Sequence, residues 1–119
     1  MAAERTTPRM AISKNIATDE AIAIMVDRIA TRFKPERIIL FGSHARGTAG
    51  SESDIDLLVV FPASVDRKAV TISIMKSLAD LPVGKDIIVT TSEELKTRGS
   101  LSSTVLYPAL QEGKVLYAA

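Results

Sequence analysis

The chain has no cysteine, no tryptophan and a single histidine among its 119 residues. The missing thiols exclude a disulfide framework, an iron–sulfur cluster, a thiolate zinc site and a cysteine nucleophile. One histidine cannot build a His-rich metal site either. Aromatic residues are only 4%, too few for a platform on which the bases of a single strand would stack. No apolar run approaches the ~20 residues that cross a bilayer. The opening MAAERTTPRM is charged early, with no apolar stretch behind it. Neither a membrane partner nor a secretory leader is expected, and a soluble cytoplasmic protein is the default. Charge of one sign is also lacking. Fifteen Lys and Arg against fourteen Asp and Glu leave a net charge of +1, too little for gripping a long nucleic acid, where several phosphates must be neutralised. A single nucleotide remains compatible with that balance.

What the chain does have is a core. Hydrophobic residues make up 46% of it, and a chain of this size buries roughly two-thirds of its unfolded surface. Residues 1–15 are polar and carry Pro8, so they are expected to form a flexible N-terminal tail before a single domain over 16–119. Ile22, Met25, Val26, Ile29 and Phe33 recur at helical spacing and predict a helix over Thr18–Phe33, with Thr18 as N-cap and Pro35 as its stop. The apolar run RIILF predicts a strand at Arg37–Phe41, ended by Gly42, and a short helix can start near Ser43. DIDLLVVF predicts a second strand at Asp54–Phe61. A helix over Asp66–Ala79 and a strand over Lys85–Thr90 follow. Thr91 and Glu94 have capping-box spacing for a short helix over Ser92–Thr97. A last helix, Ser102–Glu112, and a strand, Lys114–Tyr117, complete an α/β (α+β) domain on a small mixed sheet flanked by helices.

The chemistry concentrates between Arg37 and Phe61. Asp54 and Asp56 are two apart, so in a strand they face the same side with Cα atoms roughly 6.5–7 Å apart. Nothing basic adjoins them in sequence, and divalent cations would relieve their repulsion. Oxygen-rich sites of this kind suit Mg²⁺ or Mn²⁺, which share ligands with substrate phosphates. Gly42 lets a phosphate approach the main chain, and Ser43 offers a hydroxyl beside it. Asp86 opens its strand much as Asp54 does, so a neighbouring strand can bring it to the same face as a third carboxylate. There it can bind a metal and accept the proton of an attacking hydroxyl. Arg46 can reach a phosphate, and Ser53 can cap the loop before the carboxylates. His44 reads as an exposed loop residue and Lys85 as a strand-edge charge. Tyr107 and Tyr117 read as core-packing residues. Leu58 and Val60 share the face of Asp54 and Asp56 and require a cover: the C-terminal helix, a second copy or a partner protein.

Other motif readings fail. A calcium loop starting at Asp54 needs Glu where Val65 stands. A P-loop starting at Gly42 lacks its Lys, because Gly47 is followed directly by Thr48. The composite GSHARGTAGSESDIDLLVV, Gly42 to Val60, resembles the signature of the minimal nucleotidyltransferases of the DNA polymerase beta superfamily: Gly-Ser, ten residues, then Asp-x-Asp and an apolar run. The preceding RIILF, the downstream KDIIVT and the terminal EGKVLY extend the resemblance over residues 18–117. It implies the nucleotidyltransferase (polymerase beta-like palm) fold. It also implies that Gly42 and Ser43 hold a triphosphate, that Asp54 and Asp56 hold two Mg²⁺ ions, and that Asp86 is the third carboxylate. Short members of this family resemble antitoxins paired with HEPN-domain ribonuclease toxins, some of which attach AMP from ATP to a toxin tyrosine. The implied partners are a nucleoside triphosphate and a HEPN toxin in a hetero-oligomer. Two alternatives remain open from sequence: an antitoxin that works by contact alone, and a nucleotidyltransferase of aminoglycoside type acting on a small molecule.

Overall fold

The structure of the chain, a computed structural model, describes residues 17–50, 53–98 and 112–119. The first apolar stripe forms helix α1, Thr18–Phe33. Ala21, Met25 and Ile29, spaced four apart, are fully buried, and Ile22, Val26 and Phe33 pack beside them. The N-cap is Ala17 rather than Thr18, and it makes no side-chain cap hydrogen bond. Asp19 and Glu20 nonetheless occupy the first turn, where the helix dipole favours negative charge. The helix ends at Lys34, which is left-handed at φ 51° and donates its N–H to Ala30 O at 3.2 Å. Pro35 then prevents another turn.

Strand β1 is Arg37–Phe41 and short helix α2 is Ser43–Arg46. Strand β2 is Ile55–Phe61, starting one residue later than expected. Helix α3 is Arg67–Ser77, shorter than the predicted Asp66–Ala79 because Asp66 is its cap, accepting from Ala69 N at 3.1 Å. Strand β3 is Lys85–Thr91 and helix α4 is Ser92–Arg98. Half of the expected capping box is present: Thr91 Oγ1 accepts from Glu94 N at 3.2 Å. The Glu94 carboxylate turns instead to Thr90 Oγ1, at 2.8 Å, and to Arg67, at 2.5 Å. Strand β4 is Lys114–Ala118. The predicted helix over Ser102–Glu112 falls almost wholly outside the described residues, as does Tyr107.

The four strands form one mixed sheet in the order β3-β2-β1-β4. β1 runs antiparallel to β2 and β4, whereas β2 and β3 are parallel, joined by the α3 crossover that parallel pairing requires. Both faces of β2 are buried. On one face Leu57, Val59, Ile38 and Ile87 meet α1 and Ile74 of α3 in the main core, which Tyr117 also joins. On the other face Ile39, Leu58 and Val60 form a smaller cluster with Phe41, Ile88 and Leu95. The expected burial of Leu58 and Val60 is therefore observed, and α4 supplies part of the cover through Leu95. Arg28 ties α1 to the end of α3, donating to Ser77 O at 2.8 Å and to Asp80 Oδ1 at 2.5 Å. Among the described residues no helix is long and apolar enough to cross a membrane.

Leu57 lies fully buried at the centre of the main core. Leu57→Ala is expected to cost about 2–5 kcal/mol through lost burial and a residual cavity. Urea denaturation should read this as a lower midpoint with an unchanged slope.

Candidate active site

The register of β2 against β3 sets the site. Asp56 pairs directly with Asp86 in the parallel ladder, and Phe41, the last residue of β1, pairs with Asp56 from the other side. Neighbouring strands lie about 4.8 Å apart, so Asp56 and Asp86 share one face at short range. Asp54 lies just before β2, beside Gly84, whose carbonyl accepts from Ile55 N at 2.9 Å. All three carboxylates thus belong to the face that farther along carries Leu58 and Val60, and they occupy its open end.

Asp56 is the electrostatic centre. Its carboxyl titrates above the ordinary value, first because it is partly desolvated, then because Asp86 and Asp54 stand nearby; His44 and Arg46 oppose the rise. Among the described residues no hydrogen bond or ion pair reaches the carboxylates of Asp54, Asp56 or Asp86. Nor do three His, Asp or Glu side chains close into a ready-made metal cage among the described residues. The site is therefore an open set of hard oxygen donors whose mutual repulsion is only partly offset by His44 and Arg46. That donor set fits Mg²⁺ or Mn²⁺, which keep water and substrate oxygens in their shells.

Gly42 is required twice. Its backbone, at φ 76° and ψ −158°, lies where essentially only glycine is found. A β-carbon there would also run into Asp56 Oδ2. The turn it makes starts α2, in which Ala45 and Arg46 both donate to Gly42 O at 3.1 Å. The Ser43 hydroxyl makes no hydrogen bond among the described residues. Gly42 therefore stands beside Asp56, and the hydroxyl of the residue after it has donor capacity unused.

The linker between the two motifs is fastened by residues of different promise in the sequence. Ser53 caps it as expected, its Oγ accepting from Gly50 N at 3.0 Å. His44 departs from its expected exposure: it is half-buried and its Nε2 donates to Ser53 O at 3.1 Å. This clip joins the turn directly to the residue before Asp54. No local pattern in the sequence carries that information. Arg46 is exposed and paired with Glu112 at 3.2 Å. Lys85 is not a free edge charge. Its Nζ donates to Leu81 O at 3.2 Å and Val83 O at 2.8 Å, and burial lowers its pKa against the pull of Asp80 and Asp54. An open hollow of about 390 Å³ flanks α2, lined by Thr18, Asp19, His44, Gly47, Ala49 and Gly50. A larger apolar groove between α1 and β4 contains none of these predicted site residues.

A glycine–serine turn is set against a carboxylate-bearing strand on a mixed sheet, a set of groups that fits a phosphate ester and a divalent cation. Comparison with known proteins agrees. The family described as nucleotidyltransferase domain matches residues 22–109, which include the turn and all three aspartates. The candidate protein adenylyltransferase MJ0604 of Methanocaldococcus jannaschii is 37% identical over 101 residues, spanning 83% of this chain and 97% of that protein. The chain belongs to the nucleotidyltransferase domain family and is a nucleotidyltransferase. Among solved structures, a candidate nucleotidyltransferase from Sulfolobus solfataricus superposes with a TM-score of 0.59 at 21% identity, over 83% of this chain and 78% of that one. A variant of the toxin–antitoxin MntA–HpeT superposes with a TM-score of 0.55 at 27% identity, over 87% of this chain and 74% of that one.

Because the folded Asp56 carboxyl titrates above its ordinary 3.8, ionising it costs stability. The folded chain's advantage is complete below the unfolded value and is lost as pH rises through the folded one. In metal-free buffer, Asp56→Asn is expected to raise the thermal midpoint at about pH 7, and the gain should vanish below about pH 3.5. Melts at both pH values check this; an Asn variant less stable than wild type near neutrality contradicts it.

Proposed function

We propose that this protein is a Mg²⁺-dependent protein adenylyltransferase. It moves AMP from ATP onto a hydroxyl of a partner protein, a tyrosine of a HEPN-domain ribonuclease toxin, and so acts as a cytoplasmic antitoxin within a hetero-oligomer. The observation that carries the transfer reading is the placement of Asp56, paired with Asp86 on one side and set against Gly42 on the other. The name carried by the Methanocaldococcus relative and the toxin–antitoxin nature of MntA–HpeT support the choice of acceptor.

In this reading Asp54 and Asp56 hold two Mg²⁺ ions, and Asp86 holds one of them. Such ions supply charge stabilisation at the attacking and leaving oxygens. Gly42 and Ser43 bind the triphosphate, through the main chain and the hydroxyl. Ser53 and His44 keep the linker closed, so that the turn and the carboxylates keep one spacing. Asp86 accepts the acceptor hydroxyl's proton as its oxygen bonds to the α-phosphorus and the bond to pyrophosphate breaks. Arg46 is free to leave Glu112 for a phosphate, because an exposed ion pair of this kind is worth at most about 1 kcal/mol. The second reading is an antitoxin that works by contact alone, in which the carboxylates would transfer nothing.

Purified protein, Mg²⁺, α-labelled ATP and a HEPN toxin as the candidate partner decide between them. Label is expected on the toxin with wild type. Asp54→Asn/Asp56→Asn should reduce it by more than about a hundredfold, since loss even of a group supporting a metal ligand costs 10–100-fold. Neutralisation of the toxin by the double variant, with no label in either case, would establish the contact-only reading. Label on an aminoglycoside and none on the toxin would establish the small-molecule one. Arg46→Ala is expected to raise the KM for ATP by roughly three- to tenfold, a phosphate contact worth about 1 kcal/mol, with kcat and the melting midpoint nearly unchanged.

A further inference from the structure

Asp54 has no hydrogen bond or ion pair to hold its carboxylate among the described residues. Its side chain rests on Gly84. A β-carbon at position 84 would overlap Asp54 Oδ1. The next two atoms are Asp54 Cγ at 3.1 Å and Asp54 Cα at 3.7 Å, so the three nearest atoms such a carbon meets all belong to that one residue. The backbone supplies no reason for glycine here. Gly42 and Gly47 have positive φ among the described glycines, and Gly84 does not. What glycine provides at 84 is space, not conformation.

The same device recurs across the site. Asp56 Oδ2 lies where a β-carbon of Gly42 would be. Each carboxylate of the Asp-x-Asp pair is thus seated on the bare Cα of a glycine in a neighbouring segment. The Gly84 seat is itself fastened. Lys85 Nζ grips the carbonyls of Leu81 and Val83, and Val83 N donates to Leu81 O at 2.9 Å. Gly84 O accepts from Ile55 N, so the seat and the residue after Asp54 are joined by the main chain.

We propose that Gly84 is a positioning residue for the transfer site. Its missing side chain sets where the Asp54 carboxylate stands relative to Asp56 and Asp86, and so whether the three can share divalent cations. The inference rests on reading Asp54 as a metal ligand. A methyl group at 84 would swing that carboxylate away while leaving the β2–β3 ladder free to form.

Two measurements on the full chain test it. The first is Mn²⁺ binding in the presence of α,β-methylene-ATP, followed by the electron paramagnetic resonance of free Mn²⁺. Gly84→Ala is expected to weaken binding about tenfold or more, as loss of a group supporting a metal ligand does. Wild-type binding by Gly84→Ala, with binding lost in Asp54→Asn, overturns the proposal and leaves the site reading intact. Wild-type binding by Asp54→Asn removes the site reading, and the proposal with it. The second is a thermal double-mutant cycle, which also covers the case in which Gly84→Ala folds poorly. Gly84→Ala should lower the melting midpoint in the wild-type background. In the Asp54→Ala background it should leave the midpoint unchanged or raise it, because Gly→Ala at a permitted φ restricts the unfolded chain. An equal loss in both backgrounds would mean that the new carbon meets something other than Asp54, and the proposal would fall.

Discussion

The constraint on which the molecule turns is electrostatic. Three carboxylates are gathered at one end of a buried sheet face, with no cation paired to them among the described residues. Folding alone does not favour this arrangement. It desolvates Asp56 in part and sets it beside Asp86 and Asp54, and the raised titration of Asp56 is the direct sign of that cost. The rest of the structure has to hold the three in place. The parallel ladder from Ile55–Lys85 to Phe61–Thr91 does so, anchored by side chains that are buried on both faces of β2. A slip of one residue in that register would send Asp86 to the opposite face from Asp56 and would bury charge in the main core.

The face that carries the aspartates is graded along its length. At the start of β2 it is acidic and open. Two residues farther on it becomes Leu58 and Val60, both fully buried against Ile39 and flanked by Leu95 of α4. The apolar end holds the sheet to its cover, and the acidic end is left to solvent and to whatever binds there. A site placed mid-strand would have required those carboxylates to be buried without partners, at a cost of several kcal/mol each. Position at the strand ends is the arrangement that lets one short sheet be both a core and a charged site.

Much of this was legible in the sequence because its signals are local. The stripe from Ile22 to Phe33 marks α1 and its C-terminal end, RIILF marks β1, and the interval between Gly-Ser and Asp-x-Asp points to the family. Asp86 was reachable because strand openings are visible in apolar runs, even though its partner in the ladder is not. The misses are non-local or fall at element ends. Thr18 has the chemistry of an N-cap, yet the cap falls on Ala17, because packing of Ala21 and Met25 rather than capping sets where the helix begins. Lys85 looked like a solvated edge charge, and its real role depends on a turn that folds back to offer the carbonyls of Leu81 and Val83. His44 could not be matched to Ser53 without knowing that the linker closes on itself. Gly84 carries no local signal either; the carboxylate that rests on it belongs to Asp54, thirty residues earlier.

These misses share a physical cause that bears on how the site works. A motif names the carboxylates, but the groups lying against them carry no reactive atom: a carbonyl before Asp54, a turn gripped by an ammonium, two bare glycine carbons. Such supports contribute little to overall stability, since each is one hydrogen bond or one missing methyl. If the Gly84 proposal holds, their influence falls on the relative positions of carboxylates that repel one another. A bound divalent cation would reverse the sign of that interaction. Carboxylates that repel one another would then draw together, and any ligand bound only by the folded chain adds its binding free energy to folding. The open set of carboxylates and the raised titration of Asp56 thus have one cause, three acidic groups gathered at neighbouring strand ends.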